Sequence, residues 1–250
     1  MILMYHNIGE RSAFNTIATA EFQKQMDYIK NSGKYSILSI DEYVNNLKNY
    51  DIDNPLTVTI DDGYKSLNTV VLPIIKKYEI PVSIYIPAGY TGSHNVWDTE
   101  IGYPLIDILN WSELREMSNE QLVTVGSHGI NHISHGHLEN DDDYNEIYKS
   151  KQLIEENLES EVRYYSYPYG QLRDIGQHTV RNLKKAGYKA ALSTIWSKRN
   201  SQNNIYRLNR LEILGTDTLD QFISKLDSGY PLKYFRQLIK NILFNLKIRK

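Results

Sequence analysis

Leu56-Thr57-Val58-Thr59-Ile60-Asp61-Asp62-Gly63-Tyr64 is the stretch from which the architecture of this chain can be read. Five apolar or β-branched residues in a row predict a strand. The strand ends on two carboxylates and a glycine. Residues 67–78 then read as a helix, with Pro73 imposing a kink or restart. The same strand-then-helix unit repeats outward in both directions. Strands are predicted at 2–5, 35–40, 82–86, 121–125, 164–167 and 188–193, and helices at 19–31, 41–47, 111–117, 141–158, 178–186 and 218–226. Asp41 is expected to cap its helix, and the acidic first turn of 141–158 suits the helix dipole. Such alternation predicts an α/β fold with a parallel sheet and outer helices. At 250 residues, a single-domain barrel of about seven or eight strands is favoured over an open doubly wound sheet.

Composition narrows the function. There are no cysteines, which excludes thiol nucleophiles, disulfides and Fe–S clusters. Lys plus Arg total 28 against 30 Asp plus Glu, so the net charge is −2 and no basic face for nucleic acid is implied. No window approaches the length of a membrane span, and the start has no secretory pattern, so a cytoplasmic location is expected. Residues 1–227 are read as one domain. Residues 228–250 carry six basic and no acidic residues, with apolar positions at steps of three and four. They predict a basic amphipathic helix, which either packs on its own domain or touches the inner membrane face peripherally.

In parallel α/β folds, chemistry gathers where the strands end. Asp61 and Asp62 read equally as a helix cap or as a cation and proton site, since neighbouring residues leave a strand on opposite sides. His128 and His132 stand four apart, so on a helical turn they would share one metal ion. Two histidines and one strand-end aspartate would make three protein ligands with one open position, the pattern of a catalytic centre. His135 and His137 carry no partner signal and are expected at the surface. Tyr167-Pro168-Tyr169-Gly170 reads as a rigid turn, either bare or a groove wall. His6 follows the first strand and is either a core histidine or a proton donor. Residues 87–104 form the best candidate for a functional loop, with Tyr90 and Trp97 as groove candidates.

Together these residues resemble the polysaccharide deacetylase family, carbohydrate esterase family 4. Thr57-Val58-Thr59-Ile60-Asp61-Asp62-Gly63 is similar to its first motif (Thr-Phe-Asp-Asp-Gly). Ser127-His128-Gly129-Ile130-Asn131-His132 is similar to its second (His-Ser/Thr-x-x-His), and Tyr165-Ser166-Tyr167-Pro168-Tyr169-Gly170 to its third (Phe-Arg-Pro-Pro-Tyr-Gly). The resemblance implies a distorted (β/α) barrel of about seven strands. It implies a divalent metal, usually Zn2+ with Co2+, Ni2+ or Mn2+ as alternatives, held by Asp62, His128 and His132. It makes Asp61 the general base and gives the Tyr169 backbone N–H to the oxyanion. Leu3-Met4-Tyr5-His6 is similar to the start of a circularly permuted subgroup, which makes His6 the general acid. Tyr64, Trp97, Tyr167, Pro168 and Arg210 are expected to line the substrate.

One departure stands out: Ser166 occupies the place of the third-motif arginine. Arg163 or Arg210 could supply that charge. The implied activity is removal of an N-acetyl or N-formyl group from an amino sugar in a polysaccharide, oligosaccharide or lipid-linked glycan. The alternatives are another C–N hydrolase on the same scaffold, a carbohydrate-binding module without turnover, and a magnesium phosphatase, against which the paired histidines speak.

Overall fold

The computed structural model describes residues 1–13, 15–228 and 239. In chain order the strands are β1 (Ile2–Tyr5), β2 (Asn7–Gly9), β3 (Thr16–Ala18), β4 (Ser36–Ile37), β5 (Pro55–Ile60), β6 (Val82–Ile86), β7 (Val123–Ser127), β8 (Tyr164–Ser166), β9 (Ala190–Trp196) and β10 (Leu208–Glu212). The helices are α1 (Thr19–Asn31), α2 (Ile40–Asn49), α3 (Leu72–Tyr78), α4 (Trp111–Ser118), α5 (Asn140–Leu158), α6 (Thr179–Lys185) and α7 (Leu219–Ser228). Seven parallel strands close in the order β1-β10-β9-β8-β7-β6-β5, and β5 pairs back to β1. Short β4 adds to the outside of β5, and β2 pairs with β3 in a separate ribbon. This is the expected single (β/α) barrel.

Alternation along the strands sorts the core. Val58, Ile60, Ile84 and Ile86 join helix residues such as Phe22, Met26 and Leu114 in the main cluster. The residues between them, including Thr59, Tyr85, Ser166 and Arg210, turn into the barrel. A second cluster joins Ile2, Tyr85, Tyr164, Leu192 and Leu208 to Ile40, Tyr43, Val44 and Leu47. Through it, α2 packs across the amino-terminal ends of the strands. The opposite end is left for chemistry.

Several boundaries differ from expectation for local reasons. The strand at 35–40 shrinks to two residues because α2 begins at Ile40. Its cap is Ser39 rather than Asp41, in a reciprocal capping box with Glu42. The helix at 67–78 splits into a π-turn at Leu67–Val71 and then α3, with Pro73 in the first turn of α3. Proline has no N–H for the carbonyl four residues back, and the ladder passes it with the Leu72 N–H bonded to the Leu67 carbonyl. The strand at 121–125 slides to β7, which brings Ser127 into the sheet. The seventh barrel strand, β10, is absent from the strands expected from sequence and carries Arg210. The basic segment 228–250 lies outside the described residues apart from Ser228 and Ile239. No helix among the described residues is long and apolar enough to cross a membrane.

Gly126 in β7 faces the interior because Tyr85 needs the room. A Cβ on Gly126 would sit 2.5 Å from the Tyr85 ring and 2.9 Å from the Tyr164 carbonyl. Gly126→Ala should therefore cost about 1–3 kcal/mol as an overpacked core, read as a lower urea midpoint at unchanged slope. An unchanged midpoint would contradict this packing.

Candidate active site

Five elements deliver the candidate residues to the carboxyl ends of the barrel strands. His6 follows β1, Asp61 and Asp62 follow β5, His128 and His132 follow β7, Tyr169 follows β8, and Arg210 lies in β10. Parallel pairing sets the register: the Asp61 N–H donates to the Tyr5 carbonyl at 3.0 Å, and the His128 N–H to the Ile86 carbonyl at 2.8 Å. The turn backbones are unusual. Asp62, His132 and Tyr169 all have left-handed backbone angles, with φ of 73°, 50° and 60°. Residues with a Cβ avoid this region, and each such position stores strain that the surrounding fold must hold.

Asp62, His128 and His132 are all buried, and one ligand atom from each lies within 4.8 Å of the others. The Nε2 atoms of both histidines stand 3.4 Å from Asp62 Oδ1. Neither makes a hydrogen bond to it: Asp62 Oδ1 and His132 Nδ1 are buried polar atoms with no partner. An orphaned carboxylate oxygen beside two imidazole nitrogens is expensive unless a cation sits among them. The residues thus fit a divalent metal. His128 Nδ1 lies 2.7 Å from the Ser166 carbonyl, which accepts the proton there and leaves Nε2 free to ligate. Burial pushes the His132 ring down, and nearby His128 adds to the shift, so His132 is held neutral. Burial also opposes a charge on His128, but Asp62, Asp61 and the Ser166 carbonyl outweigh it and raise that group.

Asp61 faces a different neighbour. Arg210 grips it with two parallel bonds, Nη1 to Oδ1 at 2.9 Å and Nη2 to Oδ2 at 2.7 Å. Ser166 Oγ donates to Asp61 Oδ2 at 3.0 Å and receives Arg210 Nη2 at 2.9 Å. Arg210 Nε donates to the Ser193 carbonyl at 2.8 Å. Burial opposes the charge on Asp61, but the guanidinium, helped by His128 and His6, holds the carboxyl below its usual range. The missing third-motif charge therefore comes from Arg210. Arg163 pairs with Asp41 at 2.6 Å, beside α2 and outside the site.

Four of the expected substrate residues are corrected. Arg210, Tyr64, Tyr167 and Pro168 are all buried. Arg210 sits behind Asp61. The Tyr64 hydroxyl donates to Asp98 at 3.2 Å and the Tyr167 hydroxyl to the Tyr206 carbonyl at 2.7 Å. Trp97 does reach the site, stacking on His132 with ring centres 4.1 Å apart. Tyr90 packs edge-on against Trp97 at 5.0 Å. The Tyr169 ring, 50% exposed, lies 5.2 Å from His132. His6 is half-buried and near enough to both carboxylates to favour their charged forms.

The sequence profile of the polysaccharide deacetylase family matches residues 48–191. The chain belongs to this family. It is 24% identical over 214 residues to YxkH of Bacillus subtilis (strain 168), covering 85% of this chain and 70% of that one. It is 22% identical over 223 residues to the poly-β-1,6-N-acetyl-D-glucosamine N-deacetylase of Staphylococcus aureus, covering 85% and 72%. Among solved structures, the Streptococcus pyogenes deacetylase PplD in complex with acetate superposes with a TM-score of 0.75 at 23% identity, covering 90% of this chain and 97% of that one. The deacetylase barrel is thus shared at low identity. The second family motif carries Ser or Thr where this deacetylase-family chain has Gly129.

His135 was expected at the surface and is instead fully buried. Its Nδ1 meets Asp143 at 2.9 Å and its Nε2 meets the Tyr165 hydroxyl at 2.7 Å. Thr179 and Asn182 of α6 also donate to Asp143, at 2.6 and 2.7 Å. The sequence signal lies in α5: Asp143 and Glu146 fall on the same stripe as Ile147, Ile154 and Leu158. Acids on a buried stripe must have partners. Burial opposes the charge of Asp143, but the bonds from His135 and Thr179 outweigh it and hold its pKa below the usual value. A depressed acid stabilises the fold above its unfolded pKa of about 3.9 and loses that contribution as pH falls through the folded value. Asp143→Asn should therefore be less stable than wild type at pH 7, with the gap narrowing below about pH 4. Denaturant titrations across pH that show a constant gap would contradict the ionised network.

Proposed function

We propose that this protein is a metal-dependent N-deacetylase that hydrolyses the N-acetyl groups of amino sugars in a glycan. One observation carries the reading. A buried carboxylate clamped by a guanidinium stands next to a buried Asp-His-His cluster, at the barrel end where chemistry is expected. The staphylococcal relative, named for deacetylating poly-β-1,6-N-acetyl-D-glucosamine, supports an N-acylated amino-sugar polymer as the substrate class.

Asp62, His128 and His132 would hold the metal. One oxygen and two imidazole donors suit Zn2+ better than Mg2+. When bound, the cation supplies Lewis acidity, which acidifies water and polarises the amide carbonyl. Asp61 accepts the proton of the attacking water. Arg210 and Ser166 keep it ionised and fix its direction, so the base is aimed before the substrate arrives. Tyr169, beside His132, offers its backbone N–H to the developing oxyanion, a contribution worth about 2.7–4 kcal/mol per donor in comparable sites. His6, close to both carboxylates, gives a proton to the departing nitrogen, because an amide nitrogen leaves poorly as an anion. Water adds across the C–N bond, giving a carboxylate and a free amino sugar. Trp97 and the exposed Tyr169 ring flank the cluster and offer apolar surface to a sugar ring.

Asp61→Asn should lose at least about a hundredfold in deacetylation of N-acetylglucosamine oligomers while keeping its metal content by elemental analysis. His6→Ala should slow turnover without releasing metal. Near-wild-type rates in Asp61→Asn would remove Asp61 as the base, and a wild-type rate in His6→Ala would remove His6 as the acid.

A further inference from the structure

Glu146 lies in α5, one turn beyond Asp143, and is 4% exposed. Both of its oxygens are committed to the short segment between the two histidines. Oε1 accepts the backbone N–H groups of Ile130 at 2.8 Å and Asn131 at 2.5 Å, and Oε2 accepts Asn131 Nδ2 at 2.8 Å. Two successive backbone N–H groups wrapped on one anion fix the direction of a turn. The residue that follows them is His132, in its left-handed conformation. The residue before them is Gly129, with φ of 78°. A Cβ on Gly129 would stand 3.0 Å from Glu146 Oε1 and 3.1 Å from the Tyr165 hydroxyl. The carboxylate thus occupies the space a side chain at 129 would claim.

We infer that Glu146 is a positioning residue for the metal centre, holding the 129–132 turn so that His132 presents Nε2 to Asp62. This rests on the reading of Asp62, His128 and His132 as metal ligands. The physical basis is the contrast between the two parties. The segment 129–132 lies in no helix or strand, and its last residue is strained, so it would not keep this shape alone. Glu146 sits on a 19-residue helix, a rigid support. A carboxylate can accept several N–H groups at once, whereas a neutral amide has only one oxygen to offer. Gly129 and Glu146 act as a matched pair, because only glycine leaves room for the acid.

The test measures zinc affinity of the full chain by competition with a chromophoric chelator. The variants are Glu146→Gln, Glu146→Ala, Asn131→Ala and, as reference, His132→Ala. Apo melting temperatures and the visible absorption of the Co2+-loaded proteins are recorded beside them. Loss of an outer partner of a metal ligand typically weakens binding about 10- to 100-fold, and Glu146→Ala should fall in that range. Glu146→Gln and Asn131→Ala should show smaller losses and altered cobalt spectra, with apo melting close to wild type. Should Glu146→Ala fail to fold, the other two decide. Wild-type zinc affinity and cobalt spectra in both, beside weakened binding in His132→Ala, would overturn the inference alone. A wild-type chain that takes up no zinc, or an unweakened His132→Ala, would overturn the ligand reading and this inference with it.

Discussion

Two buried carboxylates on consecutive residues create an electrostatic demand that the rest of the site answers. Neither Asp61 nor Asp62 can stay charged in a barrel mouth without a specific counter-charge. The fold separates their solutions. Asp61 points to Arg210, which reaches it from β10 with a bidentate grip. Asp62 points to two imidazoles that leave one of its oxygens without a partner. The first arrangement is complete within the protein and the second calls for a cation. Removing one member of a buried pair typically costs about 3–5 kcal/mol, so the Arg210 contact serves stability as well as the alignment of Asp61.

The same demand explains the strained backbone. A strand and the turn after it would not bring Asp62, His132 and the Tyr169 turn to one point if every residue kept a relaxed conformation. Asp62, His132 and Tyr169 are held at positive φ in three separate turns. Gly63, Gly129 and Gly170, also at positive φ, flank or approach these positions and absorb part of the bend. Outside the site, Glu146 and Asp143 use one face of α5 to secure the loop that carries His132 and the buried His135.

Much of this was legible in the residues. The run 56–60 and the strand-then-helix units repeated around it predicted a parallel barrel, because parallel strands need helical crossovers between them. The strand-end rule then pointed to Asp61, Asp62, His128 and His132. Ser166 leaves the third motif without its arginine in sequence, and the charge is supplied in three dimensions: residues 61 and 210 are neighbours only because the barrel closes through β10 and β1. The groove residues were less legible. Tyr64, Tyr167 and Pro168 adjoin the motifs in sequence, yet all three are buried, and the two hydroxyls are taken up by Asp98 and the Tyr206 carbonyl. His135 lacked a partner within its own segment, and its partners come from α5 and β8.

Diffraction data collected at the zinc absorption edge, from crystals grown with excess zinc, test the centre most directly. A single anomalous peak should lie about 2.0–2.2 Å from Nε2 of His128, Nε2 of His132 and an oxygen of Asp62, with Asp61 still paired to Arg210. A peak that lacks those three ligands, or no peak among them at saturating zinc, would contradict the account.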